Sequence, residues 1–246
     1  MDRVRELLRR DPVWCAYALG DLDPRRAGFC EWFVRGESVA LLYHEFDPPI
    51  LFAAGDPSVL DAMPHQGPCH LQVPQAGFVE RFDLEWQRPM RRLGLARADF
   101  RLRNGSGAEP LTAAHEAEIR ELYRDGVEAH EEPDFFMGSQ LQDGTFFGVR
   151  DPETGRLAAA GGTHLYSDSE SVATIGNVYT RRSHRSLGYG TAVTSAIATN
   201  LASRGIETIA LNVKSQNVVA IRIYEQLGFR FRCDYLEAFA RNMKKL

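Results

Sequence analysis

The sequence predicts an α/β (α+β) protein: a mixed, mostly antiparallel sheet flanked by helices, preceded by a smaller α+β half. Three observations carry this. Residues 104–110, NGSGAEP, gather glycine, serine and proline between two patterned regions and mark a linker. Beyond it, the strand-like runs TFFGVRD, LAAAGGTHLY and SVATIGNVYT follow one another across the turn-rich links PETG and SDSE, as in an antiparallel meander. A helical stretch, a strand and a second helix come next, and strand, helix, strand in that order implies a crossover that sets two strands parallel.

Taken along the chain, the first half reads as a helix near residues 2–9 and another over Val13 to Leu19. The strands CEWFV, SVALLYHEF and PILFAAG follow, separated by turn residues. A short helix PSVLDAM, a strand CHLQV, a helix near GFVERFD and a strand in RRLGLARADF complete it. These residues, 1–105, are expected to form an N-terminal domain. In residues 106–246, AAHEAEIRELYRDGVEA sets Ala117, Leu122 and Val127 among charges, the pattern of an amphipathic helix. The meander comes next, then a helix from Thr191 to Ser203 with Gly205 placed to end it, the strand IETIALNV, the helix NVVAIRIYEQLG and a last strand FRFRCDYLEAF. Both halves run from helices into a strand meander, which suggests a duplicated fold without a residue-level repeat.

Composition narrows the function classes. At 246 residues with 44% hydrophobic content, the chain can bury a sizeable core. No apolar run is long enough to span a bilayer, and MDRVRELLRRDP lacks the apolar stretch of a signal peptide, so a cytoplasmic protein with no membrane partner is expected. A net charge of -4 provides no global field for nucleic acid, so any anion site is local. Cys15, Cys30, Cys69 and Cys233 are scattered, with no Cys-x-x-Cys pair and no metal spacing, so they read as reduced structural thiols and no metal is expected.

The stretch that carries chemistry is 177–190, NVYTRRSHRSLGYG, where an apolar strand meets arginines and then two glycines just before a helix. The first N–H groups of a helix lack internal partners and carry the positive end of its dipole. Phosphates bind there readily. Gly188 and Gly190 would let a phosphate reach those amides without a Cβ in the way, and Arg185, with Arg181 and Arg182 nearby, supplies cations. The spacing is neither a P-loop nor a dinucleotide fingerprint.

Arg185-Ser186-Leu187-Gly188-Tyr189-Gly190 resembles the Arg/Gln-x-x-Gly-x-Gly/Ala pyrophosphate loop of the GNAT N-acetyltransferases. The context resembles it too: Val178-Tyr179-Thr180 stands where the family's splayed strand lies, and Asn217, Ala220, Tyr224 and Leu227-Gly228-Phe229 match its following helix and turn. The likeness runs from about Glu109 onward. IGNVYT and the extra N-terminal half look most like the branch containing glycine N-acyltransferase-like proteins.

The resemblance implies a GNAT fold over residues 106–246, a degenerate GNAT-like half before it, acetyl-CoA as co-substrate and direct acetyl transfer to an amine acceptor. It assigns the backbone around Tyr179, at Val178 and Thr180, to the pantetheine arm. It assigns the amides of Ser186, Leu187, Gly188, Tyr189, Gly190 and Thr191 to the pyrophosphate, with Arg185 at the entrance. Asn217 matches a cofactor contact, and Tyr224 the acid that protonates the departing thiolate, a role a phenol can fill because a thiolate is basic enough to accept its proton. Core packing is the other reading of Tyr224, and an exposed loop residue that of His184.

The sequence departs from the family where a glutamate often precedes the loop: Ala173 to Asn177 offer no carboxylate, and Ser186 stands where glycine is common. The general base is therefore open among Glu128, His130, Glu131, Glu132 and His164. A non-catalytic acyl-CoA-binding or sensing module is the alternative reading, and a homodimer is left open.

Overall fold

The computed structural model describes residues 1–74, 77–101, 107–133 and 135–244. The chain divides into two compact units: residues 1–93, 212–217 and 231–246 form the first, and residues 94–211 and 218–230 the second. The boundary expected between residues 105 and 106 lies outside the described residues, whereas Ala108–Leu111, read above as the end of the linker, is a strand.

In the first unit, α1 (Asp2–Leu8) buries Val4, Leu7 and Leu8, the recurrence of one helical face. The second expected helix is a single turn, α2 (Ala16–Gly20). Strands β1 (Cys30–Arg35), β2 (Ser38–Tyr43), β3 (Ile50–Ala54), β4 (Cys69–Val73) and β5 (Phe82–Ala96) follow, the last three residues of β5 belonging to the second unit. PSVLDAM forms a 3-10 segment over Pro57–Ala62, entered through Asp56, whose carboxylate accepts the Ser58 N–H at 2.9 Å. GFVERFD yields only a 3-10 turn, Val79–Arg81, before the chain extends into β5. The hydrophobic spacing there is too short to hold a helix against the pull of a long sheet partner.

The first unit's sheet runs β1-β2-β3-β4-β11-β5, with β11 (Arg230–Met243) contributed by the end of the chain. β1 with β2, β2 with β3 and β4 with β11 pair antiparallel, and β3 runs parallel to β4 with Leu51 opposite Leu71. Leu42, Leu51, Leu60, Leu71, Phe78 and Leu236 are among the side chains of the core packed on it. Arg92 is fully buried in this unit. Its guanidinium lies 4.6 Å from the Trp14 ring and 5.0 Å from that of Tyr235, donates through Nε to Asn212 Oδ1 at 2.9 Å, and donates to the Trp14 carbonyl and Gln72. Those neutral acceptors and aromatic faces satisfy the buried cation. Asn212 is thereby a satisfied polar residue of this unit.

The second unit contains β6 (Ala108–Leu111), α3 (Glu116–Arg124), β7 (Phe146–Arg150), β8 (Leu157–Ser167), β9 (Val172–Thr180), α4 (Tyr189–Ser203), the first four residues of β10 (Thr208–Lys214) and α5 (Val218–Gln226). Its strand order is β10-β9-β8-β7-β6. The expected meander is present: β7, β8 and β9 pair antiparallel, and β10 runs parallel to β9 after the α4 crossover. Ile119, Leu122, Phe146, Leu157 and Tyr179 lie in the core beneath α3. Each unit therefore holds a parallel pair beside antiparallel ones.

Candidate active site

The parallel pairing of β9 with β10 runs from Val172 opposite Thr208 to Ile175 opposite Leu211. Among the described residues it goes no further. On its other side β9 stays paired with β8, where Tyr179 faces Ala160 and Thr180 faces Ala159. From Gly176 to Thr180, then, β9 keeps one sheet neighbour and presents its other edge.

The divergence coincides with a local break in the pleat. The register shifts between Ala160 and Gly162 and again between Thr163 and Leu165, and Asn177 adopts the left-handed region at φ 57°. A net of neutral hydrogen bonds holds this unusual residue. Its side-chain amide donates to Gln140 Oε1 at 3.0 Å, its Oδ1 pairs with His164 Nε2 at 3.1 Å, and its backbone carbonyl accepts from the Tyr123 hydroxyl at 2.7 Å. The His164 ring lies so close to Gly176 that a Cβ there would fall 2.2 Å from Nε2, which is why glycine stands beside the bulge.

Past Thr180 the chain makes a 3-10 turn over Arg182–His184 and enters α4 through two left-handed residues, Ser186 at φ 65° and Gly188 at φ 83°. Glycine adopts that conformation at no steric cost, and a Cβ on Gly188 would meet nothing within 4 Å, so its role here is backbone freedom. At Gly190 closeness matters, since a Cβ would lie 3.3 Å from Thr180 Oγ1. Among the described residues, the N–H groups of Ser186, Leu187, Gly188, Tyr189, Gly190 and Thr191 have no protein acceptor; Ala192 is the next N–H to find one, on Gly188 O at 3.0 Å. Consecutive unpaired N–H groups at the start of a fifteen-residue helix suit an anion.

Arg185 stands at this loop, 2.5 Å from Glu131 and with its guanidinium 5.9 Å from the Tyr179 ring. Of the neighbouring arginines, Arg181 is committed elsewhere: it donates to the Leu157 carbonyl at 3.4 Å and lies 3.8 Å from Asp125. The Arg182 N–H donates to Asp125 at 2.8 Å, and the Tyr179 hydroxyl to the same carboxylate at 2.9 Å. Burial, and then that bond, push the Tyr179 phenol up to about 12, so it is a structural donor. Val178 packs over Gly161, where Val193 of α4 also lies.

Tyr224 lies on α5, edge-on to Phe229 at 5.9 Å, and burial pushes its phenol up to about 12. It stays protonated at neutral pH, as an acid must. Asn217 belongs to the segment 212–217 of the first unit, where its N–H donates to Lys214 O at 2.8 Å. Of the candidate bases, Glu131 is held by Arg185 and His164 by Asn177, while Glu132 keeps Oε2 buried without a hydrogen-bond partner among the described residues. His184 is not the exposed loop residue that its sequence setting suggests: it is half-buried and paired with Asp151 at 3.1 Å. The four cysteines are free, and burial pushes the Cys15 and Cys69 thiols up to about 12, which removes them as nucleophiles.

Residues 113–229 match the acetyltransferase (GNAT) family. Within that matched stretch lie the open edge of β9, the amide run and Tyr224. Solved structures extend the likeness of fold over nearly the whole chain: a GNAT-family acetyltransferase from Novosphingobium aromaticivorans covers 95% of this chain and 97% of its own, with TM-score 0.62 at 22% identity. A GCN5-related N-acetyltransferase from Kribbella flavida covers 93% and 94%, with TM-score 0.61 at 18% identity. In sequence, the [ribosomal protein bS18]-alanine N-acetyltransferase of Escherichia coli is 32% identical over 77 residues, which is 31% of this chain and 50% of that protein. The chain thus spans about half the length of the curated relatives it matches.

Asn177, Gln140, Asp125 and Asp151 escaped the sequence reading. The turn composition around Asp151 was visible as DPETG, but nothing in it pointed at the loop some thirty positions later.

Proposed function

We propose that this protein is an acetyl-CoA-dependent N-acyltransferase that moves an acetyl group directly to a primary amine. The observation that carries the reading is the run of six N–H groups from Ser186 to Thr191 that have no protein acceptor among the described residues, opening α4 one short turn after a strand with a free edge. When bound, acetyl-CoA supplies a thioester whose acetyl group can pass to a nitrogen nucleophile.

The chain's own groups divide the work. The backbone of Val178 and Thr180 holds the pantetheine arm as an added strand would, with Tyr179 between them anchored to Asp125. The amides of Ser186 to Thr191 cradle the pyrophosphate, and Arg185 exchanges Glu131 for a phosphate oxygen. Asn217, just before α5 in the chain, is proposed to contact the cofactor. As the amine nitrogen forms its bond to the carbonyl carbon and the C–S bond breaks, Tyr224 gives its proton to the departing sulfur, and the amine releases its own proton to a base or to water.

The acceptor is proposed no more finely than a primary amine. The relative named above acts on an alanine of a ribosomal protein, so peptides beginning with alanine belong in any panel, beside glycine, which the suggested branch favours. Free, protonated thiols suit the proposed cytoplasmic setting. The parallel pair beside antiparallel ones in each unit supports reading the first as a degenerate copy of the second.

Calorimetric titration with CoA, followed by thiol release from acetyl-CoA across amines and N-terminal peptides, tests the proposal. Binding with amine-dependent thiol release is expected. No binding at millimolar CoA would sink it. A sensing module is favoured by Ala173–Asn177, where no carboxylate stands and Asn177 is already engaged; binding without release for any amine would select that reading.

A further inference from the structure

The loop that carries the acceptor-free amides is held from behind by a contact that neither the family likeness nor the donor chemistry assigns. Asp151, at the start of the β7–β8 turn, is rigidly engaged. Its Oδ1 accepts the Glu153 N–H at 2.8 Å, its Oδ2 accepts the Thr154 hydroxyl at 3.0 Å, and its backbone N–H and carbonyl bond Arg156 and Gly155. These donors, the Glu153 N–H first, hold the carboxyl down at about 2, so it is ionised throughout the physiological range.

The same Oδ2 faces His184 Nε2 at 3.1 Å, while His184 Nδ1 lies 2.8 Å from the Ser183 hydroxyl. A neutral imidazole satisfies both contacts at once, with Nε2–H donating to Asp151 and Nδ1 accepting from Ser183. The His184 ring stacks on Tyr189, centroids 6.2 Å apart and planes 25° from parallel. Tyr189 is the first residue of α4 and lies between Gly188 and Gly190. A cavity of about 150 Å³ opens where turn and loop meet, lined by Asp151, Thr154, Arg156, Leu157, Arg181 and His184. The His184 imidazole reaches across this cavity to the turn, alongside the hydrogen bonds from Arg181 to the Leu157 carbonyl.

We propose that the Asp151–His184 pair is a brace that sets the amide cradle from behind, making His184 a positioning residue for the CoA pyrophosphate. Two left-handed residues, Ser186 and Gly188, give the loop conformational freedom that the amides must lose to converge on one anion. Stacking on Tyr189 and anchoring on a rigid turn remove part of that freedom before the ligand arrives. The inference rests on the donor reading above.

The test compares CoA affinity by calorimetry, and KM for acetyl-CoA against kcat, in the unaltered protein and in H184A, H184Q and D151N. His184→Ala is expected to weaken CoA binding about tenfold and raise KM to match, with kcat at saturating acetyl-CoA within about twofold. His184→Gln, whose amide can still donate to Asp151, should recover part of the loss. Asp151→Asn should weaken binding as well. Its remaining oxygen is drawn to the Glu153 N–H, which turns an N–H donor toward His184. If H184A fails to fold, D151N decides. Unchanged CoA affinity in D151N and in every folded His184 variant overturns the brace. Failure of the unaltered protein to bind CoA overturns the donor reading itself and the brace with it.

Discussion

Tyr224 shows how one residue changes meaning between sequence and structure. At positions 219, 223 and 227 its helical neighbours are apolar, so the pattern alone reads equally as core packing. In the fold it rests edge-on to Phe229, and burial keeps its phenol protonated, which the proposed acid role requires. Tyr224→Phe keeps the ring contact and removes the hydroxyl that would give the proton. In an active enzyme we expect kcat to fall about 100-fold or more, with CoA affinity and Tm unchanged. Turnover equal to that of the parent would return Tyr224 to the core-packing reading. Arg185 shows the reverse case. Its charge was legible in the motif, but its present partner was not, because Glu131 is 54 positions away and only folding brings the two to 2.5 Å.

At the scale of elements, the meander and crossover were readable because alternation and turn residues are local signals. What the pattern missed were places where tertiary context overrides local preference. GFVERFD, expected to be helical, gives way to the fifteen-residue β5, since a long strand with partners outweighs the weak propensity of a short segment. The glycine pair Gly161-Gly162 lies within β8. In the fold a Cβ on Gly162 would fall 2.1 Å from the ring of Phe146, which is fully buried beneath α3, while Gly161 makes room for Val178 and Val193. We expect Gly162→Ala to cost about 1–3 kcal/mol through overpacking, read as a lowered Tm, and Phe146→Leu in the same chain to restore part of it. A Tm as high as the parent's in the single variant would show that the core yields there more easily than its packing implies.

At the scale of the whole molecule, the chain's last strand belongs to the unit formed by its first residues. β11 pairs with β4 from Leu236 opposite Val73 to Ala240 opposite Cys69, and Leu236, Ala238, Ala240 and Met243 are buried in that core. Deleting residues 1–105 therefore strips β11 of β4 and exposes those side chains. We expect the fragment to be insoluble or to associate, and sedimentation with a CoA titration checks it; a soluble monomer of full CoA affinity would contradict this. Among the described residues no helix is long and apolar enough to cross a membrane. By itself the sequence determined the α+β class and the order of strands and helices around the loop, and it pointed to the proposed anion cradle at 185–191, because periodicity, turn chemistry and glycine placement act between near neighbours. Only the tertiary structure decided that Glu131 occupies Arg185, that Asn177 is held by Gln140, His164 and Tyr123, that Asp151 pairs with His184, and that β11 joins the first unit. Each of those contacts joins residues far apart in the chain, and a contact of that kind exists only once the sheet has brought its two sides together.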